Sequence, residues 1–144
     1  MIIPDINLLL YAYNRDLPHH QSARKWWEAC LNTLDEPVGI PWAVALGYIR
    51  LMTHPKIFPN PIAAESAVQD VESWTARPHV RLLNPGSGHL PVLKHLLEVL
   101  GSSGNLTTDA HIAALALETG AEVHSNDTDF LRFPGIKVVN PLEK

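Results

Sequence analysis

The sequence has few of the residues from which disulfide-rich and zinc-binding proteins are built. Cys30 is the single cysteine among 144 residues, so no intramolecular disulfide can form, and an unpaired thiol is typical of the reducing cytosol. None of the eight histidines belongs to an HxH or HxxxH pair. Without such pairs or a second cysteine, the chain does not predict a zinc site.

Signals for secretion and membrane insertion are also lacking. The N-terminal segment 1–16 is apolar, but no basic residue precedes its apolar run and Asp5 lies within it. The segment is too short and too polar to cross a bilayer. We therefore expect a cytoplasmic protein that does not bind a membrane.

Positive charge is scarce as well. Lys and Arg number 11 against 15 Asp and Glu, for a formal net charge of −4, which excludes a general cationic coat for nucleic acid. A nucleic-acid substrate remains open, because a metal ion neutralises its own carboxylates and a local basic rim can steer a polyanion. The length, the 46% hydrophobic content and the lack of repeats or linkers predict a single domain, 1–144.

Short apolar segments alternate with amphipathic ones along the chain. Pro18 is expected to open the second helix, because proline is favoured at the first helical position. The alternation predicts an α/β fold of three layers, with a central parallel sheet of four to five strands between helices. The predicted strands are 1–4, 38–40, 79–83, 121–124 and 136–139.

The segment 105–130 combines a helix, a strand and two acidic turns. Asn105, Thr107 and Thr108 offer oxygens that can cap the helix, and Asp109 lies in its first turn. Gly120 is expected to end this helix. The strand that follows is expected to exit into a turn that carries Asp127 and Asp129, the latter two residues further on.

Asp5 follows the first predicted strand in the same way. Because strand exits and helix N-termini meet at one edge of a parallel sheet, Asp5, Asp109 and Asp127 are expected to converge there. Converging carboxylates repel one another, and either a divalent cation or a raised pKa compensates for that repulsion. Oxygen ligands without sulfur or imidazole favour Mg²⁺ or Mn²⁺.

Each acid also has a purely structural interpretation. Asp109 can complement the helix dipole, a contribution of about 0.3–1 kcal/mol. Asp5 can cap the first helix, and Asn126 or Asp127 can cap a short helix that runs to Leu131. The sequence alone leaves these alternatives open for any one residue.

Six segments of the chain form a recognisable pattern: 5–7 (Asp-Ile-Asn), 20–27, 50–55, 104–110, 125–130 and 140–142. In this order they resemble PIN-domain ribonucleases, and among them the VapC-type toxins of bacterial toxin–antitoxin pairs. The resemblance covers essentially the whole chain. One departure is that the family usually carries a Glu on the helix after the second strand, whereas 42–48 contain no acid.

The resemblance implies metal-dependent hydrolysis of RNA, either tRNA or rRNA, and assigns roles to particular residues. Asp5, Asp109 and Asp127 are the implied ligands of Mg²⁺ or Mn²⁺, with Asp129 acting through a water or positioning the nucleophile. The missing Glu leaves open whether one or two ions bind. The remaining implied roles are donors that hold the carboxylates, at Asn7, Asn105 and Ser125, and a phosphate contact at Arg50.

The resemblance also implies partners. A small VapB-type antitoxin, encoded next to the toxin, is expected to occlude the acidic pocket with its C-terminal tail, and an arginine of that tail can pair with the carboxylates. A homodimer is expected on the same ground.

Other classes of protein offer alternative interpretations of the sequence. A non-catalytic relative that binds RNA or protein would tolerate the missing Glu. A phosphotransferase or phosphatase of the haloacid-dehalogenase type needs a second Asp where this chain has Asn7. A receiver-type signalling domain needs a Lys at a late strand exit, which 125–127 do not provide.

Overall fold

The computed structural model describes residues 1–101 and 104–143, and their central feature is a five-stranded sheet. All strand pairs are parallel and the strand order is β3-β2-β1-β4-β5, which confirms the predicted parallel α/β architecture. The strands are β1 (Ile2–Pro4), β2 (Val38–Pro41), β3 (Val80–Leu83), β4 (Glu122–His124) and β5 (Lys137–Val139).

The helices form two groups. They are α1 (Ile6–Tyr13), α2 (His20–Asn32), α3 (Trp42–Met52), α4 (Ala64–Thr75), α5 (His89–Leu100) and α6 (Thr107–Thr119), with 3₁₀ turns at Gly104–Leu106 and Thr128–Arg132. In the first group α1 packs on α2 and α3, and α3 packs on α4; in the second group α5 packs on α6. Right-handed crossovers place these groups on opposite faces of the sheet, as the three-layer prediction requires.

The core is built from the apolar strands and from aromatic side chains of the first helical group. Ile3, Ile40 and Val123 are fully buried in the sheet. The rings of Trp27 and Trp74 meet edge to face with 5.5 Å between their centroids. No helix of the described residues is long and apolar enough to span a membrane.

The register of β1 and β4 brings two distant parts of the chain together. Pro4 is aligned with His124, and the backbone N–H of Asp5 donates to the carbonyl of His124 over 2.9 Å. The chain adds β2 and β3 on one side of β1, and β4 and β5 on the other. The exits of β1 and β4 therefore form the topological switch point at which open α/β sheets bind ligands.

Two predictions about helix ends are wrong. The second helix begins at His20 and not at Pro18, because His19 has a φ of 67° and left-handed backbone cannot continue into a right-handed helix. The helix α6 has no side-chain cap, although Asn105, Thr107 and Thr108 were expected to supply one. A 3₁₀ turn leads directly into α6, so Leu106 at the cap position lacks the extended backbone that a capping residue adopts.

Candidate metal centre

Asp5 lies immediately after β1 and is held through both of its carboxylate oxygens. Oδ1 accepts a hydrogen bond of 2.7 Å from the backbone N–H of Ile6, so Asp5 does cap α1. Oδ2 accepts a 2.7 Å bond from the hydroxyl of Ser125. Burial raises the pKa of this carboxyl, the two hydrogen bonds oppose that effect, and the charge of Asp127 adds to it. Asp5 therefore caps α1 and also lies close enough to Asp127 to feel its charge.

Ser125 joins the exits of β1 and β4. Its hydroxyl donates to Asp5 and accepts a 2.9 Å bond from the backbone N–H of Asp127. The side chain is buried, so these bonds are shielded from competing water. Ser125 therefore fixes both the Asp5 carboxylate and the start of the loop that carries Asp127.

Three further carboxylates form a compact group, which we call the acid trio: Asp109, Asp127 and Asp129. One oxygen from each lies within 4.8 Å of the others, and all three side chains are half-buried. Asp109 comes from the first turn of α6, whereas the other two come from the turn after β4. Asp127 Oδ1 also accepts from the backbone N–H of Asp129 over 2.9 Å and so caps the 3₁₀ turn.

The convergence of these acids also affects the pKa of Asp109. Burial is the main cause that raises its pKa to about 7, and the charges of Asp5, Asp127 and Asp129 raise it further. The ordinary pKa of an aspartate is about 3.9. Without a cation, Asp109 therefore titrates much closer to neutral pH than an ordinary aspartate does.

The grouping differs from the predicted ligand set in one respect. Asp129 is expected to act through a water or to position the nucleophile, with Asp5 as a ligand, whereas in the structure Asp129 belongs to the acid trio and Asp5 lies beside it. The reason is local geometry: Asp127 Oδ1 bonds the Asp129 backbone N–H and tightens the turn, which brings the two acids together. Asp5 instead turns towards Ile6 and Ser125.

The other predicted site residues differ in their surroundings. Asn7, two residues after Asp5, has a buried Oδ1 without a hydrogen-bond partner. Asn105 is exposed, and no hydrogen bond in the described part of the chain joins its side chain to an acid. Arg50 is exposed near the end of α3, about 12 Å along the helix from its start at β2. Arg50 is therefore placed away from the acid trio, whereas Asn105 lies four residues before Asp109.

The chemistry of these donors fits a hard divalent cation. All the groups are oxygen donors, the charges of Asp5, Asp127 and Asp129 add to the effect of burial on the pKa of Asp109, and the buried Oδ1 of Asn7 lacks a partner among the described residues. Mg²⁺ and Mn²⁺ prefer such carboxylate, carbonyl and water oxygens. Asp109, Asp127 and Asp129 are the residues best placed to hold the ion, with Asp5 next to them.

One supporting contact was not anticipated from the sequence. The side-chain amide of Asn140, just after β5, donates a 3.0 Å hydrogen bond to Oδ1 of Asn126 in the acidic turn. The segment 140–142 was noted only as part of a family resemblance. A local pattern could not reveal the pair, because the two amides lie on different strand exits.

The chain is similar to known proteins over almost its whole length. A family model described as the PIN domain matches residues 2–136. The chain is 40% identical over 144 residues, 100% of both chains, to "Ribonuclease VapC33" of Mycobacterium tuberculosis. It is also 40% identical to "Ribonuclease VapC37" of the same organism, over 98% of this chain and 97% of that protein.

Solved structures share the fold at lower sequence identity. The structure of VapBC2 from Rickettsia felis bound to a promoter DNA fragment has a TM-score of 0.67 and 20% identity, and covers 97% of this chain and 98% of that one. The structure of VapBC-1 from nontypeable Haemophilus influenzae has a TM-score of 0.69 and 18% identity, over 99% of this chain and 100% of that one.

Proposed function

Because the chain belongs to the PIN-domain family, with VapC ribonucleases as relatives over its full length, we propose that it is an endoribonuclease that uses Mg²⁺ or Mn²⁺. We further propose that it is the toxin of a toxin–antitoxin pair. The observation that carries the proposal is the convergence of Asp109, Asp127 and Asp129 beside Asp5 at the switch point of the sheet. Family membership removes the phosphotransferase and receiver alternatives.

In the proposed reaction, the acid trio holds the cation and Asp5 completes the negatively charged wall. The bound ion would lower the pKa of a water to supply hydroxide and would stabilise the charge that develops on the phosphoryl oxygens. Ser125 holds Asp5 and the backbone of Asp127 in fixed relative positions through its two hydrogen bonds. Such donors around a metal site orient its ligands and tune their basicity.

The proposed biological context follows from the family resemblance. The substrate is an exposed loop of tRNA or rRNA, whose cleavage would inhibit translation. The proposed partner is a small VapB-type antitoxin whose C-terminal tail enters the acidic pocket. The proposed assembly of the toxin itself is a homodimer.

A cleavage assay tests the activity directly. Purified protein is incubated with a mixed RNA pool in Mg²⁺ or Mn²⁺, in EDTA, and in Zn²⁺. We expect cleavage with Mg²⁺ or Mn²⁺ and none in EDTA or with Zn²⁺. Asp5→Ala should not cleave RNA under any of these conditions. Glu65→Gln, at an exposed position of α4, serves as the control and should cut like the wild type. Metal-free or zinc-restored cleavage would contradict the proposal, as would equal cutting of duplex DNA.

A second candidate is a non-catalytic protein of the same family that binds RNA or protein. The observation that favours it is the sequence of α3, Trp42–Met52, which carries no carboxylate where the family usually has a Glu. This candidate predicts RNA binding that Asp5→Ala does not affect, and no cleavage under any metal condition.

A further inference from the structure

A separate pocket adjoins the acid trio. Its volume is about 140 Å³, and Asp127 belongs both to its wall and to the trio. Pockets that enclose whole drug-sized ligands measure roughly 300–1,000 Å³, so this one suits a single planar ring. We call it the Asn126 pocket, and its lining includes Asn126, Thr128, Leu131, Val138, Asn140 and Glu143.

The hydrogen bonds of the pocket determine which way its amides face. The backbone N–H of Leu142 donates to Oδ1 of Asn140 over 3.1 Å, and a backbone N–H can only donate. The Nδ2 group of Asn140 must therefore point the other way. It donates to Oδ1 of Asn126 over 3.0 Å and to Oε1 of Glu143 over 3.2 Å.

This chain of bonds leaves a specific pair of groups for a ligand. Because Oδ1 of Asn126 faces Asn140, its Nδ2 group is the free end, and within the described residues it donates to no acceptor. The Glu143 carboxylate contacts the same nitrogen of Asn140, so it lies beside Asn126. The pocket wall thus carries an N–H₂ donor on Asn126 and a carboxylate acceptor on Glu143, one on each side of the Asn140 amide.

Apolar surface accompanies these polar groups. Leu131 is 70% exposed at the pocket and Val138 is half-buried in its wall. Enzymes that extrude a base hold it by a similar combination, with its face between aromatic or apolar side chains and its edge in hydrogen bonds.

Among the bases, guanine complements this pair of groups best. Its Watson–Crick edge places one carbonyl acceptor beside two adjacent N–H donors. The amide N–H₂ of Asn126 can donate to that carbonyl, and the Glu143 carboxylate can accept from both N–H groups. Hydrogen bonds to an ionised carboxylate are shorter and about twice as strong as neutral ones.

We propose that the Asn126 pocket binds a guanine base of the RNA, on the nucleotide next to the phosphate that is cut. The identity of the ligand as RNA rests on the proposed nuclease function. The position of the base rests on Asp127, which is shared by the pocket and the acid trio. Asn126 and Glu143 read the edge of the base, and Leu131 contacts its face.

Mapping of cleavage sites in a random RNA pool tests this proposal. The wild type should show enrichment of guanine at one fixed position beside the cut. Asn126→Ala should reduce that enrichment about tenfold, the discrimination typical of one paired base contact. Leu131→Ala, which leaves both amides in place, should also weaken it, whereas Asn60→Ala, an exposed asparagine beyond the end of α3, should preserve it.

A binding measurement separates this proposal from the nuclease function. In metal-free protein, added guanosine should shift the NMR signals of the Asn126 side-chain amide and of the Leu131 and Val138 methyl groups. Cytidine should shift them less, and Asn126→Ala should remove the methyl shifts. If no RNA is cut but guanosine binds in this way, the nuclease proposal is wrong, whereas the binding of guanine in the Asn126 pocket is supported.

Other results overturn the pocket itself. Unchanged cleavage preferences in Asn126→Ala and Leu131→Ala, or guanosine shifts that persist in Asn126→Ala, would show that the base does not bind there. Enrichment of a different base that depends on Asn126 would overturn the assignment of guanine.

Discussion

Burial and the like charges of neighbouring acids both act on Asp109. An acid whose folded pKa is raised to about 7, above an unfolded value near 3.9, binds its proton more tightly in the folded state. Protonation of this carboxyl therefore stabilises the folded state, relative to high pH, and this contribution is complete below about pH 4 and is lost as the pH rises from about 4 to about 7. The repulsion is then fully present above pH 7 in the metal-free protein.

We expect Asp109→Asn to remove this pH dependence. The variant keeps the shape of the side chain but cannot ionise, so without metal it should be at least as stable as the wild type at pH 8. Cleavage should be abolished. Urea unfolding of both proteins in EDTA at pH 5 and pH 8 measures the effect, with Glu65→Gln as an exposed control.

A different result would reassign Asp109. If Asp109→Asn destabilises the metal-free protein by more than about 1 kcal/mol, the carboxylate acts mainly on the helix terminus, since that is the usual size of a cap or dipole effect. The candidate metal centre would then lose its central ligand.

At the scale of elements, Ser125 connects the ends of β1 and β4. We expect Ser125→Ala to lower the free energy of unfolding by about 1–3 kcal/mol, because it leaves a buried oxygen of Asp5 and the backbone N–H of Asp127 without partners. Cleavage should also fall, since Asp5 and the acidic turn lose their common support. Denaturant unfolding and the RNA assay measure the two effects.

The matched control for this variant is Ser66→Ala. Ser66 is an exposed serine on α4, so its replacement should change neither quantity appreciably. Equal stability of Ser125→Ala and Ser66→Ala would show that the connection between the two strand exits contributes little.

At the scale of the whole molecule, metal binding and folding are linked. A ligand that binds only the folded form stabilises it by RT ln(1 + [L]/Kd). We expect Mg²⁺ or Mn²⁺ to raise the melting temperature of the wild type, in proportion to the logarithm of its concentration once the site is nearly saturated. In Asp109→Asn the shift should be much smaller, and an equal shift in both proteins would place the ion elsewhere.

The proposed toxin role makes a prediction for living cells. Strong induction of the chain should arrest bacterial growth, and co-expression of the protein encoded next to it should restore growth, because the partner would occlude the acid trio. Growth curves with Asp5→Ala as the inactive control measure both effects. Normal growth at high levels of folded protein would favour the non-catalytic candidate.

The sequence by itself determined the order of strands and helices and the edge at which the acids meet. Apolar segments such as 1–4 and 38–40 indicate burial locally, and parallel strands deliver their exits to one edge whatever the details of packing. The positions of Asp5, Asp109 and Asp127 at that edge followed from this rule. The parallel sheet was confirmed for the same reason, and the family resemblance was confirmed by the match to the PIN-domain model.

Only the tertiary structure decided which side chains meet at that edge. The distance between Asp109 and Asp129 depends on the tightness of a turn, and the bond between Asp5 and Ser125 depends on the register of β1 against β4. Arg50 lies away from the acids because α3 runs from the strand exit towards the other end of the sheet. Such distances arise from long-range packing, and periodicity within one segment carries no information about them.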